Sequence, residues 1–226
     1  MPYTIEKIAK LIGAERIGDT EARIDWILTD SRSLCFPEET LFFALLTRRN
    51  DGHKYIGELY NRGVRNFVIS ELLSELESYK DCNFLKVANP LKALQKLAEY
   101  RREEFQIPVI GITGSNGKTI VKEWLYQLVS PDRTVTRSPR SYNSQIGVPL
   151  SVWLMNEESQ LAIFEAGISE MGEMDALRNI IKPTIGILTN IGGAHQENFF
   201  SLQEKCMEKL SLFKNCDVVI YNGDDE

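Results

Sequence analysis

The run Val109-Ile110-Gly111-Ile112-Thr113-Gly114-Ser115-Asn116-Gly117-Lys118-Thr119 restricts the possible folds of this chain more than any other stretch. An apolar segment meets a turn carrying two glycines, and Lys118-Thr119 opens an amphipathic segment, so the order reads strand, phosphate loop, helix. A polyphosphate needs inward-pointing backbone N–H groups, and the main chain approaches it closely only where side-chain bulk is missing, here at Gly114 and Gly117. Lys118 then sets a compact cation against the terminal phosphates and Thr119 a hydroxyl against a magnesium ion. The positive end of the following helix favours the remaining negative charge. The common spacing G-x-x-x-x-G-K-[ST] has glycine where this chain has Ile112, one departure from the strict pattern. The bland alternative is a glycine turn before an ordinary helix. Apolar strand, paired glycines, Gly-Lys-Thr and helix agree with one another, which favours a nucleotide site.

The loop lies near the middle of 226 residues, a length and apolar content sufficient for two α/β domains with real cores. The expected division is a small N-terminal α/β domain over 1–86, a connecting helix over 87–106, and a P-loop domain with a mainly parallel sheet over 107–226. A net charge of −6 argues against an electrostatic footprint for nucleic acid. No apolar run reaches the length of a membrane span and no basic-then-apolar leader opens the chain, so a cytoplasmic location is expected. Cys35, Cys82, Cys206 and Cys216 lack C-x-x-C spacing and read as free thiols.

In the first half, helical spacing covers Tyr3 to Ile12, with Gly13 as its stop. Ile24 to Thr29 and Thr40 to Leu46 read as strands, Lys54 to Arg62 as a helix and Asn66 to Ile69 as a strand. Glu71 to Lys80 is a polar helix candidate, Asn83 to Val87 a short strand, and Pro90 opens a helix running to Glu104. After the loop, the pattern predicts a helix to Val129, a strand over Thr134 to Arg137, and a polar, turn-like segment from Arg140 to Leu150. Leu161 to Phe164 is a strand delivering Glu165, where a parallel sheet beside a phosphate loop holds magnesium. Ile185 to Leu188 delivers Thr189-Asn190 and, five residues beyond, His195, again at the end of a core strand. Leu202 to Phe213 is a helix whose Lys205, Glu208 and Lys209 read, on composition alone, as a solvated face.

Several of these segments together resemble the Mur ligase family, the ATP-dependent amide-forming enzymes of peptidoglycan synthesis. They are the loop Thr113 to Thr119, the turn Thr29-Asp30-Ser31-Arg32, the strand ending before Asp51-Gly52-His53, Asn143 with Ile146 to Leu150, the run Thr189 to His195, and Lys209 with Phe213. The resemblance implies a first domain that holds the uridine nucleotide of a UDP-MurNAc-peptide, with Ser31, Arg32, Asp51 and His53 at that site and Asn143 also contacting substrate. It implies that ATP lies on Thr113, Gly114, Ser115, Asn116, Gly117, Lys118, Thr119 and Asn190. Magnesium ions would be held by Thr119, Glu165, His195 and Lys209, the last as a carbamylated lysine fourteen positions after His195. Lys118, Glu165, His195 and Lys209 would carry the chemistry. Asn143 to Leu150 and Gly172 to Leu177 resemble the branch that adds D-alanyl-D-alanine to UDP-MurNAc-tripeptide.

The reaction so implied is phosphorylation of the tripeptide carboxylate by ATP, then displacement of phosphate by the amine of D-alanyl-D-alanine. Family members carry a third domain that closes over ATP and are in some bacteria fused to alanine racemase. Weak turnover is therefore expected of these 226 residues alone. Two other readings remain open: a Mur-type ligase of the diamino-acid-adding or folylpolyglutamate kind, and a nucleotide-binding module without ligation.

Overall fold

The computed structural model describes residues 3–47, 50–73, 76–192 and 199–224. The chain forms two compact units, 1–97 and 98–226, and the division falls inside one helix.

In the first unit, β1 (Tyr3–Thr4) leads into α1 (Ile5–Ile12). The Thr4 hydroxyl accepts from the amide of Lys7 at the start of α1, and Gly13 ends it with φ +69°. Ile5, Ile8, Ala9 and Ile12 fall on one face and are buried. β2 (Glu15–Ile17), which no alternation announces, β3 (Arg23–Ile24) and β4 (Trp26–Leu28) follow, so the expected 24–29 strand is interrupted at Asp25. Then come β5 (Thr40–Phe43), α2 (Ile56–Asn61), β6 (Asn66–Ile69) and β7 (Asn83–Lys86). The five-stranded sheet runs β2-β7-β6-β5-β4, parallel throughout except for the antiparallel edge strand β2. Phe42, Phe67 and Phe84 are central to its core, the last two stacked with centroids 5.3 Å apart. The polar helix expected over 71–80 is corrected: the described residues there hold only a 3-10 turn, Leu76–Ser78. So short a segment gains little from helix propensity alone, and packing of Leu73, Leu76 and Tyr79 against the core decides its conformation.

The helix that carries the division is α3 (Pro90–Glu103). The second unit then runs β8 (Val109–Thr113), α4 (Lys118–Val129), β9 (Val135–Arg137), α5 (Gly147–Trp153), β10 (Leu161–Glu165), α6 (Glu173–Ile181), β11 (Ile185–Leu188), α7 (Leu202–Leu210) and β12 (Val218–Ile220). Its five strands lie in the order β12-β11-β8-β10-β9, and every pairing is parallel. Side chains alternate across this sheet. On one face Ile110, Ile112 and Ile163 meet Val121, Leu125 and Val129 of α4. On the other, Phe164 belongs to a cluster with Val152, Leu177, Leu212 and Phe213.

Two expectations are revised here. The turn-like reading of Gly147 to Leu150 gives way to α5. Pro149 lies in its first turn, where a missing N–H costs nothing, and burial of Val148, Val152 and Trp153 supplies the drive. The helix expected through Phe213 stops at Leu210 and tightens into a 3-10 turn, Ser211–Phe213. Gly111 and Gly186, paired in register on β8 and β11, explain the docking of that turn. A Cβ on Gly186 would lie 2.4 Å from the Phe213 ring, and one on Gly111 2.9 Å from Pro183. The two glycines make a flat patch on which the end of α7 rests.

Candidate functional site

Strand order reverses about β8: the chain passes from it to β9 and β10 on one side, then to β11 and β12 on the other. The loops at the carboxyl ends of β8, β10 and β11 therefore converge, the usual location of a ligand crevice in an open α/β sheet. Those ends carry the Gly114–Gly117 turn, Glu165, and Thr189-Asn190.

Gly114 has φ +144° and Gly117 φ +80°. At Gly114 an added Cβ would stand 2.0 Å from the Thr189 hydroxyl, so close approach as well as backbone conformation requires glycine there. Much of the loop's polar capacity serves its own support. The amides of Ser115 and Asn116 donate to the backbone oxygen and the Oδ1 of Asn190, each at 2.9 Å. Ser115 Oγ donates to Gly192 O and accepts from the Gly192 amide. The Thr113 hydroxyl is buried and donates to Ala166 O at 2.8 Å. Thr113, Ser115, Asn116 and Asn190 thus brace the loop, leaving the first N–H groups of α4 to face an anion.

Lys118 folds back so that its ammonium donates to Gly114 O at 2.8 Å. Burial lowers its pKa, Glu165 opposes that shift, and Lys205 adds to it. Thr119 Oγ1 donates to Glu165 Oε2 at 3.0 Å, and Asn143 Nδ2 reaches the same oxygen at 3.4 Å. Glu165 is fully buried, and its other oxygen has no aligned hydrogen bond. Lys122 Nζ is nevertheless 3.0 Å from that oxygen, a buried ion pair. Lys122 was not foreseen as part of the site. The available signal was its place one helical turn beyond Lys118 and three residues after Thr119.

Lys209 is buried at 3% exposure and donates to Gly114 O at 3.1 Å. Burial, then the Lys118 and Lys205 ammoniums, bring its pKa from 10.5 down to about 8. Lys205 is buried as well and donates to Gly192 O, with burial lowering its pKa. The solvated-face reading of these two lysines is therefore corrected: helical spacing alone cannot show that α7 turns this side toward the loop. Glu208 is also committed, its Oε1 accepting from the amides of Gly172 and Met174 at the start of α6. A cavity of about 110 Å³ lies between Lys118, Lys209, Gly114, Asn143 and Gly167, room for a phosphate group or a few waters. His195 lies outside the described residues. Among the described residues no cluster of three or more His, Cys, Asp or Glu forms a ready-made metal cage. A hydroxyl and a carboxylate side by side instead suit a hard cation that arrives with phosphate oxygens.

In the first unit, Ser31-Arg32, Asp51-His53 and Ser70 follow β4, β5 and β6 at the carboxyl edge of the parallel strands. The Arg32 fork is already engaged, with Nη2 2.7 Å and Nε 2.9 Å from the Asp30 carboxylate. The Arg32 guanidinium holds that carboxyl below the usual carboxylate range. Ser31 is buried, and its carbonyl accepts from Arg62. Asp51 Oδ1 lies 2.7 Å from His53 Nδ1, while His53 Nε2 accepts from the Ser70 amide at 3.1 Å. With its lone pair used by that N–H, His53 cannot activate the nearby Ser70 hydroxyl despite the Asp-His-Ser order. It ties the loop after β5 to the end of β6.

Comparison with known proteins gives a consistent result. Residues 112–226 match the Mur ligase middle domain. The UDP-N-acetylmuramoyl-tripeptide–D-alanyl-D-alanine ligase of Borreliella burgdorferi is 36% identical over 224 residues, 96% of this chain and 48% of the relative. That of Bacillus subtilis is 30% identical over 98% of this chain and 49% of its own length. The crystal structure of MurF from Acinetobacter baumannii superposes with a TM-score of 0.88 at 28% identity, covering all of this chain and 50% of that one. MurF ligase from Thermotoga maritima, solved in complex with ADP, superposes at 0.76 with 27% identity over 88% of this chain and 46% of that one. The chain spans about half the length of the curated relatives it matches. No helix among the described residues is long and apolar enough to cross a membrane.

Proposed function

We propose, since the chain belongs to the Mur ligase family, that it provides the nucleotide-binding parts of an ADP-forming ligase joining D-alanyl-D-alanine to UDP-MurNAc-tripeptide in cytoplasmic peptidoglycan synthesis. One observation carries this reading. Thr119, in the first turn of α4, and Glu165, the last residue of β10, meet within 3.0 Å beside Lys118 and a phosphate-sized cavity. The relatives' shared name supplies the choice of amine and acceptor.

In this reading the tripeptide carboxylate attacks the γ-phosphorus of ATP, ADP departs, and the amine of D-alanyl-D-alanine displaces phosphate from the acyl phosphate. An anion attacking a polyanion meets repulsion, so neutralising and positioning charge is the main task of the protein. Lys118 releases Gly114 O to reach the β- and γ-phosphates, and the amides at the start of α4 hold the adjacent oxygens. Thr119 and Glu165 would hold a magnesium ion and His195 a second one, and the bound metal would supply further charge neutralisation. The residues present fit such an ion: the donors are oxygens, one is a buried carboxylate, and a cation bound mainly by phosphates needs no larger cage.

Lys209 is suited to carbamylation. With a pKa of about 8 its neutral amine is accessible near neutral pH. The amine adds to the carbon of CO₂ with loss of one proton, turning a cation into an anionic oxygen donor. In the first unit, Arg32 exchanges its Asp30 partner for diphosphate oxygens and Ser31 contacts substrate; in the second, Asn143 contacts substrate. Asp51 and His53 hold the loop that frames the uridine end.

Isothermal titration of the chain with ADP and magnesium, and separately with UDP-MurNAc-tripeptide, tests this reading. Both are expected to bind, and Lys118→Ala is expected to weaken only the ADP isotherm, by about tenfold or more. Failure of ADP to bind overturns it.

A further inference from the structure

Lys122 is the one fully buried residue of α4, a helix whose neighbouring inward positions are the aliphatic Val121, Leu125 and Val129. Packing alone favours an aliphatic side chain at such a place, because burying an ammonium is costly unless oxygens surround it. Oxygens do surround it. Nζ donates to Ser138 O at 2.7 Å and to Arg140 O, and it lies 3.0 Å from Glu165 Oε1 and 3.1 Å from Glu123 Oε1. Glu123 is in turn held by Arg137 at 2.7 Å.

Three of those partners lie in two other parts of the site: Glu165 ends β10, and Ser138 and Arg140 precede Asn143. Glu165 is gripped from one helix at both oxygens, Oε1 by Lys122 and Oε2 by Thr119, residues three apart on one face of α4. That double grip fixes the plane of the carboxylate. Ser138 and Arg140 open the segment leading to Asn143, and Arg140 takes the left-handed conformation at φ +48°, which a non-glycine residue keeps only when held. We propose that Lys122 is a positioning residue: it pins Oε1 of Glu165 and the Ser138–Arg140 turn, so that Oε2 faces Thr119 and is presented to a nucleotide-borne divalent cation. This rests on the nucleotide site proposed above.

The role predicts an effect confined to the metal-dependent part of nucleotide binding. ADP affinity is measured on the chain by titration with magnesium and with EDTA, and Mn²⁺ binding in the presence of ADP by the loss of the free-ion electron paramagnetic resonance signal. Lys122→Met is expected to lower Mn²⁺ affinity and the magnesium-dependent gain in ADP affinity by about tenfold, the scale for residues that orient metal ligands. ADP affinity in EDTA should stay within about twofold, and Lys122→Arg should recover part of the loss.

Because Lys122→Met leaves a buried carboxylate without its partner, a second comparison covers failure to fold. Glu165→Gln is set against Lys122→Met/Glu165→Gln, which buries no unpaired carboxylate. If Lys122 acts through Glu165, the double variant binds Mn²⁺·ADP no more weakly than Glu165→Gln. Equal losses with magnesium and with EDTA, no loss, or a further loss in the double variant each overturn the positioning role. Absence of ADP binding by the unsubstituted chain overturns the nucleotide reading itself and this role with it.

Discussion

Replacement of Lys209 by methionine should stabilise the protein at neutral pH. The ammonium is buried at 3% exposure with Lys118 and Lys205 as like-charged neighbours, and its pKa falls from 10.5 to about 8. Each tenfold change in a proton affinity is 1.36 kcal/mol, so holding Lys209 protonated at pH 7 costs the folded state about 3 kcal/mol. Methionine has similar length and flexibility and no charge. The hydrogen bond it removes is to Gly114 O, which keeps Lys118 at 2.8 Å, so no carbonyl is orphaned. The sign follows from linkage. Between about pH 8 and 10.5 the unfolded chain binds more protons at this site than the folded one, so the stability of the unsubstituted protein rises with pH across that window. The cost is complete below pH 8 and absent above 10.5. Urea unfolding in CO₂-free buffer, which keeps the amine unmodified, should show Lys209→Met more stable by about 3 kcal/mol at pH 7, with the difference fading toward pH 10.5. A difference independent of pH, or a less stable variant at pH 7, refutes the reasoning.

Three further substitutions probe separate parts of the structure. Gly114→Ala places a methyl 2.0 Å from the Thr189 hydroxyl at φ +144°, and should cost about 1–3 kcal/mol in urea unfolding and weaken ADP binding at least tenfold. Glu208→Ala removes the acceptor for the Gly172 and Met174 amides at 2.9 and 3.0 Å, with an expected loss of about 1–2 kcal/mol by the same measurement. Arg32→Ala should weaken titrated UDP-MurNAc-tripeptide while leaving ADP affinity and the urea midpoint unchanged, because the pair it forms with Asp30 is exposed.

The phosphate loop, the strands flanking it and the carboxylate at the end of β10 were legible in the sequence because each depends on local pattern: an apolar run, paired glycines, one helical period. Burial against a sheet imposes these periods directly, so β6 and β11 match the residues read from the sequence at both ends. What escaped depends on partners distant in the chain. α5 looked like a turn because Gly147 and Pro149 are turn residues, yet burial of Val148, Val152 and Trp153 outweighs that preference. Lys205 and Lys209 looked solvated on composition alone, because a helix's polar residues usually face water, and only the family resemblance set Lys209 apart. Gly111 and Gly186 clear the sheet surface for Leu212 and Phe213, and this docking turns the end of α7 so that both lysines are buried.

The sequence by itself therefore determined that a phosphate-binding turn sits between a buried strand and a helix, since that requires only neighbouring residues. The tertiary structure decided which groups touch there, contacts that no local pattern encodes. Lys122 and Glu165 are 43 positions apart and Lys209 and Gly114 are 95 apart. Their proximity follows from the order of strands in the sheet, which brings the ends of β8, β10 and β11 together.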